Sequence, residues 1–335
     1  MADMVGTELY TGAELAGAAI FAAGAASALT TNEQRTTTGC ATHGCSGEGR
    51  YLFHGQRACS RGCLELLLRA AVIEEQARST AAALRARPRV LLGRILIEQG
   101  TINEVQLEHA LRSQRATGAG RLGCWLKQQV ELPEADFTAA LSIQWRCPVF
   151  RFGNFAPARM ASYLPRPLME AHGALPLRLT ESPERLSLCF EDHVDYELLS
   201  ATERMHGVSA DAGLLTATEF WQATRDLLGV RFPRIQEVEA SSPDTMVEAM
   251  GRLLIASGAQ DARMVAVHGC YWLRLWTSPS PSHANGIIAP EPVAWDILCT
   301  PRTGSNFNSD FSDTQSDESA RTVEHLTAAM LCVLR

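Results

Sequence analysis

The chain has 335 residues, of which 46% are hydrophobic, so it can bury a sizeable core, and its length suggests two to three domains. A formal net charge of −7 without a long Lys/Arg run argues against general nucleic-acid binding, and neither DNA nor RNA is expected as a partner. The single lysine, Lys127, stands outside any G-x-x-x-x-G-K-[ST] phosphate loop, which excludes a P-loop ATPase.

The chain begins with a small, apolar run over residues 12–29 (GAELAGAAIFAAGAASAL), which we compared with a signal peptide and a membrane span. Asp3 and Glu8 give the preceding segment the wrong charge for a secretory signal, and Glu14 and several glycines interrupt the run. The sequence therefore predicts an Ala-rich packing helix within residues 1–38 and no membrane insertion.

Four cysteines in two close pairs predict a metal site within residues 39–88. The pairs are Cys40-x4-Cys45 and Cys59-x3-Cys63, and the second pair leads into a predicted helix from Leu64 to about Leu84. Zinc takes four tetrahedral ligands, and thiolates from two tight turns can close such a site without a large hydrophobic core. We expect structural zinc; the alternatives are free or redox-active thiols, or a disulfide pair.

The other cysteines stand singly along the chain. They are Cys124, Cys147, Cys189, Cys270, Cys299 and Cys332. This scatter argues against a disulfide scaffold and for a reducing compartment, so we expect a cytoplasmic protein.

An internal repeat of period thirty occupies residues 91–144. The aligned pairs are Leu92/Leu122, Gly93/Gly123, Leu96/Leu126, Ile102/Leu132, Leu107/Phe137, Ala110/Ala140, Leu111/Leu141 and Gln114/Gln144. The apolar residues of each copy fall at helical spacing around a turn, with Thr101 or Asn103 as a helix cap in the first copy and Pro133 at the second helix of the other. Each copy is predicted to be a helix–turn–helix hairpin, and the two to fold side by side.

This doubled pattern, L-G-x-x-L…G-x-I/L-x-x-x-x-L/F-x-x-A-L-x-x-Q, resembles the N-terminal domain of the assembly ATPases of type II secretion and type IV pili. The resemblance extends over about residues 89–230. Several members of that domain family bind cyclic di-GMP through two such motifs, with the Leu-Gly backbone and apolar side chains at the guanines and a leading basic residue at a phosphate. The resemblance therefore implies cyclic di-GMP as a ligand.

Carried onto this sequence, the motif implies a defined set of contacts. The matching positions are Leu92, Gly93, Leu96, Gly100, Arg121, Leu122, Gly123 and Leu126. Arg121 is the implied phosphate partner, whereas Leu91 stands at the leading position of the first copy and Val130 at the turn glycine of the second. The alternative is that the leucines of both motifs are packed core.

The rest of that region, residues 145–230, is predicted to be a small α/β half. Its expected elements are a helix over 159–172, a hairpin within 174–195, a helix over 195–206, a short strand near 213–215 and a helix over 217–228. Asp192, His193 and Asp195 could pose as a metal or acid–base cluster, but their place at a strand-to-helix junction favours helix capping.

The remaining chain predicts a linker over 231–243 and a C-terminal α/β domain over 244–335. Its expected elements are a helix over 243–257, a strand pair within 264–276, a loop over 277–292, a strand over 293–299, a polar stretch over 303–319 and a helix over 320–334. Trp272, Arg274 and Trp276 alternate along one strand and share one face, which forms either an exposed protein- or base-stacking surface or a face packed under the terminal helix.

These observations predict an α+β protein and no enzyme, since G-x-S-x-G, H-E-x-x-H and a dinucleotide fingerprint are all missing from the sequence. We expect a non-catalytic signalling or adaptor protein linked to type II secretion or type IV pilus machinery. The alternative is a protein–protein docking module with a structural zinc site and no nucleotide ligand.

Overall fold

The structure is a computed structural model that describes residues 39–84, 90–153, 155–181, 184–277 and 294–302. The predicted Ala-rich helix, the loop after residue 277 and the last helix lie outside these ranges. The helices and strands of the described residues follow in chain order: β1 Tyr51–Phe53, β2 Gln56–Ala58, α1 Arg61–Leu84, α2 Leu92–Glu98, α3 Glu104–Thr117, α4 Leu122–Gln129, α5 Glu134–Trp145, α6 Pro157–Met160, α7 Arg166–His172, β3 Ala174–Glu181, β4 Glu184–Phe190, α8 Tyr196–His206, β5 Ser209–Leu214, α9 Ala217–Leu228, β6 Arg234–Ala240, α10 Pro243–Ser257, β7 Asp261–Val267, β8 Cys270–Trp276 and β9 Ala294–Pro301. The fold is α+β, as predicted.

The repeat forms two helical hairpins, α2–α3 and α4–α5, whose first helices both begin at a Leu-Gly step. The copies interlock, because α2 packs on α5 and α4 packs on α3. Asn103 caps α3 in a capping box with Gln106, as one of the two predicted caps. The copies differ at the turn, where Gly100 has a φ of 69° and Val130 an extended backbone with a φ of −132°. The β-branched valine thus avoids the left-handed region that the glycine enters.

The α/β half contains a three-stranded sheet in the order β3-β4-β5, with β3 and β4 antiparallel and β4 and β5 parallel. The predicted hairpin, helix, strand and helix follow in this order. The continuous helix predicted over 159–172 is wrong, since two short helices, α6 and α7, lie there instead. Pro165 disfavours a helical backbone at Leu164, which separates the two.

The C-terminal sheet has the strand order β6-β9-β8-β7, in which β6 runs parallel to β9 and the other pairs are antiparallel. The predicted helix over 243–257 and the predicted strands around 264–276 and 293–299 are confirmed as α10, β7, β8 and β9. The linker predicted over 231–243 is wrong at its centre, because residues 234–240 form the edge strand β6.

The C-terminal sheet is packed on both faces. One face belongs to the core of the repeat and the α/β half, through Val265, Val267, Trp272, Trp276 and Leu298. The opposite face forms a second core with α1, α10 and the β1–β2 hairpin, through Ala262, Met264, Ala266, Leu273 and Ile297. The cysteine-containing segment and the C-terminal sheet therefore share one core.

The stripe formed by Trp272, Arg274 and Trp276 is not an exposed surface. These residues are 0%, 1% and 3% exposed. They pack against the α/β half, and within the sheet Trp272 Nε1 and the guanidinium of Arg274 both donate to the buried carboxylate of Asp296 on β9. Arg274 also donates to the carbonyl oxygen of Ser162. The stripe is an internal joint between the two halves of the molecule.

Candidate functional site

The four cysteines come together where the β1–β2 hairpin meets the start of α1. Cys40 and Cys45 lie in the turn before β1, Cys59 follows β2, and Cys63 is in the first turn of α1. The first turn is closed by a hydrogen bond from the Cys45 N–H to the Thr42 carbonyl, 3.0 Å. A Cβ at Gly47 would stand 2.6 Å from Cys59 Sγ, so only glycine fits against this cluster.

The spacing of the sulfurs fits a tetrahedral metal ion. All four Sγ atoms lie within 4.8 Å of one another. The Cys45–Cys59, Cys59–Cys63 and Cys45–Cys63 Sγ distances are 3.4, 3.7 and 3.8 Å. A tetrahedron with Zn–S bonds of about 2.3 Å has edges of about 3.8 Å. The cysteines predicted as metal ligands are thus brought together, and they could hold zinc; none is in a disulfide.

The thiols of the cluster differ in their pKa values. The neighbouring side chain and backbone of Thr42 lower the pKa of Cys40 to about 6, whereas hydrogen bonds to Cys45 and Cys63 raise the pKa of Cys59 to about 12. The cluster therefore retains protons that a divalent cation would displace on binding. His54 is not part of this cluster, because its Nε2 accepts the N–H of Met264 in β7.

The Leu-Gly motifs of the repeat are largely packed. Leu96 and Leu126 are fully buried and Leu92 is 8% exposed. A Cβ at Gly93 would stand 2.5 Å from Leu107 Cδ1, and one at the equivalent Gly123 would stand 2.7 Å from Phe137 Cζ. Both glycines therefore permit close packing between the two helices of their own hairpin.

The starts of α2 and α4 lie side by side. The Cβ position of Gly123 is 3.8 Å from Leu92 Cδ2, so the Leu-Gly steps of the two copies adjoin. Leu91 and Arg121 occupy the N-cap positions, and neither side chain caps its helix. The first N–H groups of an α-helix have no partner within it, so an uncapped start is suited to an anion.

Arg121, the implied phosphate partner, extends from the start of α4 to the junction between β4 and α8. Its Nη1 donates to Asp192 Oδ1 at 2.8 Å and lies 2.6 Å from His193 Nδ1, while the side chain is 55% exposed. Burial acts to raise the pKa of Asp192, but the bond from His193 and the charge of Arg121 outweigh it and hold the pKa at about 2. The predicted capping is confirmed, because Asp195 caps α8 through the Leu198 N–H, whereas Asp192 pairs with Arg121 and His193.

A cavity of about 320 Å³ lies beside the second motif. It is lined by Lys127 but also by Glu131, Glu134 and Glu191. Burial, followed by the charge of Asp192, raises the pKa of Glu191. This acidic lining is unsuited to a phosphate group, so the uncapped helix starts are the better place for an anion.

Glu75, which the sequence analysis did not single out, joins three elements. Its Oε2 accepts from Arg204 Nη2 on α8 at 3.0 Å and from the Ala266 N–H on β7 at 3.1 Å. Its position in the sequence indicates that it is buried, because Glu75 follows Leu64, Leu68 and Val72 along the buried face of α1.

No protein-family model matches the sequence, and no curated protein matches it. Among solved structures, that of MshE with cdg matches 42% of this chain and 99% of its own, with 22% identity and a TM-score of 0.36. This is a distant resemblance. None of the helices in the described part of the chain is both long and apolar enough to cross a membrane.

Proposed function

We propose that this chain is a non-catalytic signalling or adaptor protein of a type II secretion or type IV pilus machine, and that its tandem hairpins bind cyclic di-GMP. The observation that carries the proposal is the paired start of α2 and α4, where two Leu-Gly steps adjoin and neither helix has a side-chain cap. A ligand with two phosphates and two guanines suits a site that presents the same motif twice.

Charge supports the same assignment. Arg121 is 55% exposed, so part of its guanidinium is open to a ligand while it pairs with Asp192. A bound phosphate could replace Asp192 as the partner of the guanidinium, and Asp192 would keep its contact with His193. The half-buried Leu122 adjoins this arginine in the chain and offers apolar surface for a base.

In this proposal the four-cysteine site has a structural role. A zinc ion held there would fix the β1–β2 hairpin to the start of α1, whose Leu64 and Leu68 enter the second core. The C-terminal sheet contacts the α/β half through Arg274, which donates to the Ser162 carbonyl, and would offer a surface to a partner protein.

The competing function is a protein docking module without a nucleotide ligand. It is favoured by the burial of Leu96 and Leu126 and by the close contacts that occupy Gly93 and Gly123, since all four residues already serve the packing of the hairpins. In that case the repeat would offer only its outer surface to a secretion or pilus component.

Ligand-induced stabilisation separates the two functions. Cyclic di-GMP at a hundred times its dissociation constant should add about 2.7 kcal/mol to the free energy of unfolding, and Arg121→Ala should lose most of this gain. Arg166→Ala is the matched control, because Arg166 is also exposed and pairs with a single carboxylate, that of Glu170. A melting temperature that cyclic di-GMP leaves unchanged would favour docking.

A further inference from the structure

Two histidines and a carboxylate from distant parts of the chain meet where the α/β half contacts the C-terminal sheet. His172 ends α7, Asp195 precedes α8, and His268 lies in the two-residue turn between β7 and β8. His172 Nδ1 is 3.0 Å and His268 Nε2 is 2.6 Å from the same oxygen, Asp195 Oδ2. The three ligand atoms lie within 4.8 Å of one another.

The hydrogen bonding around this group leaves one atom of each residue facing the others. Asp195 Oδ1 accepts the Leu198 N–H that caps α8, so only Oδ2 is turned to the histidines. The imidazole rings stack with centroids 4.4 Å apart and an interplanar angle of 20°. Two imidazole nitrogens and a carboxylate oxygen are a ligand set typical of divalent transition metals.

A second carboxylate stands behind His268. Glu197 Oε2 is 3.4 Å from His268 Nδ1, and Glu197 Oε1 accepts the His268 backbone N–H at 2.6 Å. The Ser79 hydroxyl on α1 also donates to Glu197 Oε1. Histidines that bind metal commonly give their other ring N–H to a carboxylate, which fixes the tautomer and orients the ring. A small rotation of the His268 ring would bring Nδ1 from 3.4 Å into hydrogen-bond distance of Glu197 Oε2, and Nε2 would then face an ion.

The backbone of the β7–β8 turn shows that the position of His268 has a cost. His268 and Gly269 have φ angles of 47° and 74°. A two-residue hairpin turn with both φ angles positive favours asparagine, aspartate or glycine at its first position, and a residue with a larger side chain is disfavoured there. Histidine therefore stands at a position where asparagine, aspartate or glycine would fit the backbone better.

The size and openness of the group suit an ion. The side chain of Asp195 is 7% exposed and that of His268 is 38% exposed, so solvent reaches the cluster past the His268 ring. A tetrahedral zinc ion needs ligand atoms about 3.3 Å apart, given bonds of about 2.0 Å to nitrogen and oxygen. The observed separations of 3.0 and 2.6 Å are shorter, so the two nearly parallel rings would move outward and tilt for their nitrogens to converge on one ion.

We propose that His172, Asp195 and His268 form a second metal site, for a divalent transition-metal ion such as Zn²⁺, distinct from the four-cysteine site. Glu197 is a positioning residue that orients His268. The ion would join α7, α8 and the β7–β8 turn and so fasten the α/β half to the C-terminal sheet.

The test counts metal ions bound by the full chain. The reduced protein is stripped with a chelator, reloaded with Zn²⁺, dialysed, and analysed for zinc per chain by mass spectrometry. The wild type is expected to hold two ions and the double variant His172→Gln, His268→Asn to hold one. Asparagine suits the positive φ of the turn, so this variant keeps the hairpin. His109→Asn, at an exposed histidine on α3, is the matched control and should keep two ions.

Cobalt substitution shows which ion is lost. Thiolate ligands give Co²⁺ an intense charge-transfer band, so the double variant should keep that band and its circular dichroism while it loses one equivalent of metal. Glu197→Gln should weaken binding of the second ion about 10- to 100-fold, an effect that a purely structural role would not produce. A wild type without a second metal equivalent beyond the thiolate-bound ion, or a double variant that binds as many ions as the wild type, would overturn the proposal.

Discussion

Gly93 lies so close to Leu107 that a Cβ built on the glycine would stand 2.5 Å from the leucine Cδ1. Gly123 and Phe137 repeat this relationship thirty positions later, with a distance of 2.7 Å to Phe137 Cζ. The glycine of each Leu-Gly step is therefore a packing residue, whatever else the motif binds.

Gly93→Ala should destabilise the protein by about 1–3 kcal/mol, because the added methyl group must displace Leu107 within a packed core. Urea unfolding measures the change. Gly62→Ala is the matched control, since Gly62 lies in the first turn of α1 with nothing within 4 Å of its Cβ position, and alanine should leave stability equal or higher there. Equal stability of Gly93→Ala and wild type would show that the hairpins do not pack as described.

Glu75→Ala should destabilise the protein by about 3 kcal/mol or more, because it removes the buried carboxylate that pairs with Arg204 and accepts the Ala266 N–H. Its neighbour Glu74 provides the control. Glu74 is 62% exposed and pairs with Arg78, so Glu74→Ala should change stability by no more than about 0.5 kcal/mol. Similar losses in the two variants would contradict a joint at Glu75.

His206 should make stability depend on pH. Burial, followed by the charge of Arg274, lowers its pKa from the ordinary value of 6.5 to about 3. Between these values the unfolded chain binds a proton that the folded protein does not, so stability falls as pH falls, by up to about 1.4 kcal/mol per unit. The comparison is the unfolding free energy at pH 6 and pH 4 for wild type and His206→Gln. The variant should lose less on acidification, and parallel curves would refute the assignment.

Zinc removal should loosen the second core. A chelator, or Cys63→Ser, should lower the unfolding free energy by about 2.7 kcal/mol, the value expected for loss of an ion present at a hundred times its dissociation constant. The hairpin that carries Phe53 and Ala58 packs in that core, so the loss should reach the C-terminal sheet. Cys124→Ser, at a cysteine on α4 outside the cluster, should leave the response to the chelator unchanged. A chelator without effect on the wild type would contradict a structural metal.

The sequence predicted the repeat because its signal is local. Leucines, alanines and glycines recur at helical spacing, and the two copies, thirty residues apart at Gly93 and Gly123, each form one helical hairpin. The cysteine pairs could be predicted for a similar reason, since each pair lies in one turn. The strand β6 could not be predicted, because its residues are mostly polar and its partner β9 lies far along the chain.

The side-chain groups assembled from distant residues could not be found in this way. Asp195 is close in sequence to Asp192 and His193, but its partners in the structure, His172 and His268, come from two other elements. The alternation of Trp272, Arg274 and Trp276 predicted a shared face, yet it could not indicate that both faces of that sheet are covered.

Titration calorimetry of the full chain with cyclic di-GMP tests the central claim most directly. We expect saturable binding that is weakened in Arg121→Ala and unchanged in Arg166→Ala, because Arg121 stands at the paired starts of α2 and α4 and Arg166 does not. The absence of any binding heat in the wild type across several temperatures, or equal affinity in Arg121→Ala, would contradict the account.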